Sequence, residues 1–267
     1  MHELAFVFAG FAVGLIVGLT GVGGGSLMTP ILIFFFGIKP HMAVGTDLLF
    51  AAFTKMGGTV SLARQRLVPW KVVGQLCAGS IPAALLALWA LHTLGPASAT
   101  AQRIMTTTLG FALLLTAAAT LYKAIVFSAQ RPPAQRAARM SHTGDGTRPR
   151  HWSLPVLLGA VIGTLVTFTS VGAGAIGVTV LLLVYPLLPL PRIIGADIAY
   201  AVPLTLVAGL GHASLGSVDW PLLAQLLAGS LPGIWLGSRL VTRTPERHIR
   251  SALSLLLAWA GFKLILI

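Results

Sequence analysis

Hydrophobic residues fill ten runs along the chain, and only short polar or charged stretches separate most of them. The runs are continuous and do not alternate with polar residues, which is typical of membrane or deeply buried helices and not of a β-barrel. The pattern therefore predicts an all-α polytopic membrane protein with about ten membrane segments. The runs fall at about 4–20, 26–37, 41–62, 70–92, 101–125, 152–169, 175–188, 192–213, 219–240 and 248–267.

Two of these runs, the second and the seventh, are short and follow glycine-rich breaks. The first break reads TGVGGGS over 20–26, and the second reads TSVGAGA over 169–175. Glycine is costly inside a helix, and irregular backbone at membrane depth is tolerated only inside protein or against a water-filled cavity. The sequence thus predicts two broken helices whose breaks lie inside the protein or against a water-filled cavity.

The chain contains two copies of one pattern, separated by a polar stretch. QLCAGSIP at 75–82 matches QLLAGSLP at 225–232, an offset of 150, and GTD at 45–47 matches GAD at 195–197 at the same offset. We expect a first membrane repeat over 1–127, a flexible arginine-rich cytoplasmic linker over 128–150 and a second membrane repeat over 151–267. Because each copy holds an odd number of segments, five, the copies are expected in opposite orientations, as an inverted repeat.

Composition and charge support a membrane protein and argue against a nucleic-acid partner. Hydrophobic residues make up 56% of the chain and charged residues 9%, against about 25% charged in a soluble domain. With the N-terminus and the C-terminus outside, 14 of the 18 Lys and Arg residues lie on the cytoplasmic side, so the net charge of +12 is expected to set orientation in the lipid bilayer. The N-terminal stretch MHELAFVFAGF is expected to be the first span, not a signal peptide.

The helices that restart after the two breaks are candidate anion sites. Their first N–H groups have no partner within the helix, the helix dipole is positive there, and glycine lets a ligand approach the backbone closely. The alternative is that the glycines only permit close helix crossing. The candidate substrate-binding residues are Gly21, Gly23, Gly24, Gly25, Ser26, Thr46, Lys55, Ser170, Gly172 and Gly174.

Ionisable residues inside the apolar runs are further candidates. Asp47 and Asp197 are repeat equivalents, and a charge at the centre of a membrane helix costs roughly 2.5–3.5 kcal/mol on insertion scales. Each is either a proton-coupling carboxylate or a residue that caps a helix break or bonds to neighbouring backbone. Lys55 is expected to neutralise an anion or to pair with Asp197, with snorkelling to the membrane surface as a further alternative. His212 is expected at the membrane interface.

The GVGGGS break, the GTD tripeptide before an apolar helix, the repeated QLxAGSxP and the two-copy layout resemble the TauE/SafE family of sulfite and organosulfonate exporters. The resemblance covers nearly the whole chain apart from the linker. It implies export of a small sulfur-containing anion, such as sulfite, sulfoacetate or a related sulfonate, from the cytoplasm across the bacterial inner membrane.

These features favour a secondary transporter working by alternating access around a site at the bilayer midplane. No catalytic, metal or cofactor site is expected, because the sequence has neither a GxSxG elbow nor an HExxH motif, and the glycines at 21–25 lack the last glycine of a dinucleotide fingerprint. The alternatives are an anion channel, an importer, or a non-transporting membrane enzyme or subunit of a larger complex. The sequence also permits a homodimer.

Overall fold

The computed structural model describes residues 2–20, 25–128, 153–172, 174–240 and 246–265. Within these ranges the chain forms ten α-helices and no strand, so the all-α prediction is confirmed. The helices of the first half are α1 (His2–Thr20), α2 (Gly25–Phe36), α3 (Pro40–Arg64), α4 (Trp70–Leu94) and α5 (Ala99–Ser128). Those of the second half are α6 (Leu154–Thr169), α7 (Ala175–Val184), α8 (Leu190–Ser214), α9 (Trp220–Leu240) and α10 (Glu246–Ile265).

The helices differ in length in the way that the hydrophobic runs predict. Three of them, α4, α5 and α8, are long and apolar enough over their described residues to cross a bilayer by themselves. By contrast, α2 has 12 residues and α7 has 10. At about 1.5 Å per residue these two helices are only about 18 Å and 15 Å long, roughly half the thickness of a hydrocarbon core.

Helix boundaries recur at the 150-residue offset of the sequence motifs. Helices α3 and α8 begin at 40 and 190 and end at 64 and 214, and α4 and α9 begin at 70 and 220. The turn after each long helix is also the same, because Arg66 and Gly216 both have positive φ, 57° and 69°. In both turns a backbone amide donates to the carbonyl five residues earlier: Leu67 to Leu62 in the first half and Ser217 to His212 in the second.

The main helix contacts join one half of the chain to the other. Helix α1 packs on α9, α4 on α6, α3 on α8 and α5 on α10. Glycines bring the first two pairs into backbone contact: a β-carbon on Gly14 would overlap the carbonyl of Ser230, and one on Gly163 would overlap the carbonyl of Ser80. Small residues at four-residue spacing are the usual means of close helix approach in membranes.

Large apolar side chains lie on both the inside and the outside of this assembly. Two buried apolar clusters form the interior, while Trp89, Phe111 and Leu183 are among many large apolar residues that are well exposed. An apolar exterior of this extent suits contact with lipid and not with water. The buried charged side chains of the described residues are Asp47, Lys55 and Asp197, and two histidines, His41 and His212, are buried as well.

Candidate functional site

The second glycine break is an irregular turn buried inside the protein. Helix α6 ends at Thr169, and Ser170 takes the left-handed conformation (φ 58°, ψ 0°) while its amide bonds to the Val166 carbonyl at 2.7 Å. The Thr169 hydroxyl accepts the amide of Val171 at 3.1 Å. Ser170 and Val171 are both buried. As the sequence predicts, irregular backbone here is sheltered by protein.

Two glycines of this break are required by backbone conformation. Gly172 and Gly174 have φ of 132° and 134°, values that residues with a side chain rarely adopt. Gly174 is the N-cap of α7, and the Gly177 amide in the first turn donates to the Gly172 carbonyl at 3.1 Å. One of the N-terminal amides of α7 is therefore already used, and those of Gly174, Ala175 and Ile176 precede the first hydrogen bond of the helix.

His212, expected at the membrane interface, lies inside the protein and supports this break. Its side chain is fully buried, and Nε2 lies 3.0 Å from the carbonyl oxygen of Thr167 in the last turn of α6. That carbonyl lacks the amide that would normally bond to it, because the Val171 amide turns to the Thr169 hydroxyl. His212 therefore satisfies a carbonyl that the break leaves open.

The first break falls largely outside the described residues. Gly21, Gly23 and Gly24 belong to the gap between α1 and α2, so their predicted role stays a prediction. Gly25 and Ser26 are the first two residues of α2, which begins one residue before the expected restart. Contacts made by the later residues of α2 place this helix within the protein.

Asp47 connects the start of α2 with the second break. Its Oδ2 atom accepts a short hydrogen bond from the Thr29 hydroxyl, and both side chains are fully buried. The Ser170 hydroxyl lies close to this carboxylate and interacts with it electrostatically, although Ser170 Oγ makes no hydrogen bond to any described residue. One carboxylate therefore brings together residues from both candidate binding segments.

Asp197, the repeat equivalent, lies against the first turn of α7. A β-carbon on Gly177 would overlap Asp197 Oδ1, so only glycine leaves room for the carboxylate there. Lys55 is buried and interacts electrostatically with both carboxylates, more strongly with Asp197 than with Asp47. The three buried charges thus form one chain of interactions that runs from α2 to α7.

Neither aspartate caps its own helix. Each is the eighth residue of α3 or α8, two turns after the helix begins. The N-caps of these helices are Lys39 and Pro189, and neither makes a capping bond through its side chain. Buried carboxylates in such positions face other helices, which is the usual location of a functional ionisable group in a membrane protein.

The Thr46 hydroxyl takes part in a hydrogen bond that stabilises the fold. Its hydroxyl oxygen accepts the amide of Asp219 at 3.0 Å, and Asp219 in turn caps α9 by accepting the Leu222 amide at 3.0 Å. The predicted binding role of Thr46 therefore competes with its role in holding the turn before α9. The sequence reasoning missed Thr29, whose signal was a polar side chain in the apolar helix GSLMTPILIFFF.

Within the described residues, no three His, Cys, Asp or Glu side chains gather as metal ligands. An open groove of about 610 Å³ lies between α1 and α9 and is lined by apolar residues such as Phe8 and Phe11. None of the buried ionisable residues lines this groove, so it is separate from the charged centre.

Comparison with known proteins identifies the family. The family model described as sulfite exporter TauE/SafE matches residues 6–264. The chain belongs to the TauE/SafE family. This confirms the resemblance seen in the glycine break and the repeated motifs, and it makes the chain a member of a membrane transporter family.

Relatives of the chain are named as probable membrane transporter proteins. The chain is 36% identical to the probable membrane transporter protein YjnA of Bacillus subtilis, over 98% of this chain and 100% of that protein. It is 26% identical to the probable membrane transporter protein YdhB of the same organism, over 96% and 97% of the two chains. No solved structure matches the chain significantly.

Proposed function

We propose that the protein is a secondary transporter that exports a small sulfur-containing anion, such as sulfite, sulfoacetate or a related organosulfonate, across the bacterial inner membrane. The observation that carries this proposal is that two short helices, α2 and α7, each pack against one carboxylate of the buried Asp47–Lys55–Asp197 chain, α2 through Thr29 and α7 through Gly177. Half-length helices that begin near buried charges are typical of transporter sites. Membership in the TauE/SafE family supports the sulfur-containing cargo.

The two halves are proposed to be inverted repeats whose ten helices all enter or cross the membrane. The boundaries that recur at an offset of 150 and the pairings of α1 with α9 and of α4 with α6 are what a pseudo-two-fold arrangement would produce. With both termini outside, the arginine-rich linker lies in the cytoplasm. Alternating access would then be a movement of one half against the other around the charged centre.

Cargo would bind at the beginnings of α2 and α7. The amides of Gly174, Ala175 and Ile176 precede the first helical hydrogen bond of α7, and the equivalent stretch of α2 begins at Gly25. Lys55 supplies the positive charge within this centre. The glycines at 21–24 would admit the anion to the backbone of α2, and Ser26 and Ser170 would add hydroxyl donors.

The balance of buried charge favours coupling to protons. Among the described residues, the buried formal charges are one lysine and two aspartates, so the centre carries a net charge of −1 when both carboxylates are ionised. A monoanion entering that centre would make its net charge −2, and a dianion such as sulfite or sulfoacetate would make it −3, unless a carboxyl group were protonated. Asp47 and Asp197 are therefore proposed to take up and release protons during the transport cycle.

Transport into proteoliposomes tests these proposals. Purified protein is expected to move sulfite or sulfoacetate in preference to sulfate or taurine, and a pH gradient is expected to drive accumulation. Flux that never exceeds the level set by the membrane potential, with no response to the pH gradient, would indicate a channel. Loss of transport in Lys55→Ala and Gly24→Leu, with normal insertion, is expected; retained transport in both would place the site elsewhere.

Cysteine accessibility tests the topology. Cys77 is the only cysteine, so a Cys77→Ala protein provides a clean background. A membrane-impermeant maleimide added to intact cells is expected to label Ala97→Cys, in the turn between α4 and α5, and not Ser141→Cys in the linker. The reverse labelling pattern would invert the proposed orientation.

A further inference from the structure

Tyr200 has a buried hydroxyl group that no described residue satisfies. The side chain lies on α8, one turn after Asp197, and is completely buried. Its hydroxyl oxygen makes no hydrogen bond to any described part of the protein. Buried tyrosine hydroxyls nearly always have a partner, so this one indicates a group that binds to the protein.

The hydroxyl faces the first turn of α7. A β-carbon placed on Gly177 would lie 3.4 Å from the Tyr200 oxygen, and Gly177 is the third residue of that helix. The open amides of α7 and the phenolic O–H are therefore donors that lie at the same end of one helix. The Asp197 carboxylate interacts with Tyr200 electrostatically, and the Cys77 thiol on α4 does so less strongly, but the Tyr200 hydroxyl makes no hydrogen bond to either.

The equivalent position in the first half of the chain carries no hydroxyl group. At the 150-residue offset the equivalent of Tyr200 is Phe50, which is also buried, and the equivalent of Lys55 is Thr205. Lys55 interacts more strongly with Asp197 than with Asp47. The Lys55 charge and the Tyr200 hydroxyl are therefore both on the α7 side of the charged centre. The two helix starts are thus chemically unequal despite their related sequences.

We propose that Tyr200 is a specificity-determining residue that donates a hydrogen bond to an oxygen atom of a small oxyanion seated at the start of α7. This inference rests on the proposed anion transport and assigns the anion to one of the two helix starts. An oxyanion there accepts from the Tyr200 hydroxyl and from the α7 amides, while Lys55 balances its charge. The ligand class is a sulfonate, sulfite or similarly small oxyanion.

The chain offers a matched pair of tyrosines for the test. Tyr185, just after α7, is also fully buried, but its hydroxyl donates to Gln75 Oε1 at 2.7 Å. Tyr185→Phe is expected to lower the melting temperature of the purified protein without changing the KM for transport. Tyr200→Phe is expected to leave the ligand-free melting temperature unchanged or raised, because its hydroxyl has no described protein partner.

The expected effect of Tyr200→Phe is on binding. Loss of a hydrogen bond to a charged group predicts a KM for sulfite or sulfoacetate raised about 10- to 100-fold, with a smaller change in maximal rate. In a separate measurement, these anions should raise the melting temperature of the wild-type and Tyr185→Phe proteins much more than that of Tyr200→Phe.

Each other outcome has a distinct meaning. If the wild-type protein transports neither anion, the proposed function fails as stated. If it transports them and Tyr200→Phe keeps the wild-type KM and ligand-induced melting shift, the assignment of Tyr200 is overturned while the transport proposal stands. Failure of Tyr200→Phe to fold would also overturn it, because that result would assign the hydroxyl a protein partner.

Discussion

The strongest test of the charged centre is a pair of double-mutant cycles on Lys55. The first cycle combines Lys55→Met with Asp197→Asn, and the second combines Lys55→Met with Asp47→Asn. Removal of one partner of a buried ion pair costs about 3–5 kcal/mol because the other charge stays buried. Lys55→Met and Asp197→Asn are therefore each expected to lower the free energy of unfolding by about that amount and Asp47→Asn by less, and each double variant is expected to lower it by less than the sum.

The two coupling energies are expected to differ. Asp47 and Lys55 are eight residues apart on α3, so their α-carbons are separated by about 12 Å. At an effective dielectric constant of about 20, unit charges at that distance interact by about 1.4 kcal/mol, and at about 4 Å by about 4 kcal/mol. Because Lys55 interacts more strongly with Asp197, the first cycle should give roughly 2–3 kcal/mol and the second about 1.4 kcal/mol or less.

Unfolding in mixed detergent micelles, followed by circular dichroism, measures these energies for all six proteins. The Lys55→Met single variant is shared by both cycles, so the two coupling energies are measured against the same reference. A coupling energy with Asp47 that equals or exceeds that with Asp197 would refute the assignment of Lys55 to the α7 side. A zero coupling with Asp197 would refute the ion pair itself.

Three further changes test the packing and the support of the breaks. Gly79→Ala should destabilise the protein by about 1–3 kcal/mol, because its β-carbon would overlap a carbonyl of α6. Gly74→Ala on the same helix has open space and should be neutral or stabilising by up to about 1 kcal/mol. Thermal unfolding of the two variants distinguishes these outcomes. His212→Leu should cost about 1–3 kcal/mol in the same assay, because it leaves the Thr167 carbonyl open, and an unchanged melting temperature would contradict that role. Thr29→Val should slow transport in proteoliposomes, because it removes the hydrogen bond to Asp47, whereas Thr29→Ser keeps the hydroxyl and should keep the wild-type rate. Equal rates for the wild-type protein and both variants would show that the bond is dispensable.

Much of the helix layout could be predicted from the sequence because it depends on local patterns. Continuous apolar runs predict the helices, and their bounds lie within a few residues of those observed. The positive φ angles of Gly172 and Gly174 agree with a break that only glycine permits. The burial of Asp47 and Asp197 also follows from their place inside apolar runs.

The partners of the site residues could not be predicted, because they depend on tertiary packing. The Thr29–Asp47 bond joins residues 18 apart, and the Thr46 hydroxyl accepts an amide 173 residues away. His212 was expected at the interface because it lies near the end of α8. Its burial depends on the open end of α6, whose Thr167 carbonyl the linear sequence does not place beside it.

The pairing of α1 with α9 has a consequence for how the protein is made. The first helix ends at Thr20 and its partner begins at Trp220, so about 200 residues are synthesised between them. At about 5–20 residues per second, α1 waits roughly 10–40 s in the lipid with its glycine face uncovered. The glycine face of α1 therefore stays unpaired until α9 has been synthesised and can pack against it.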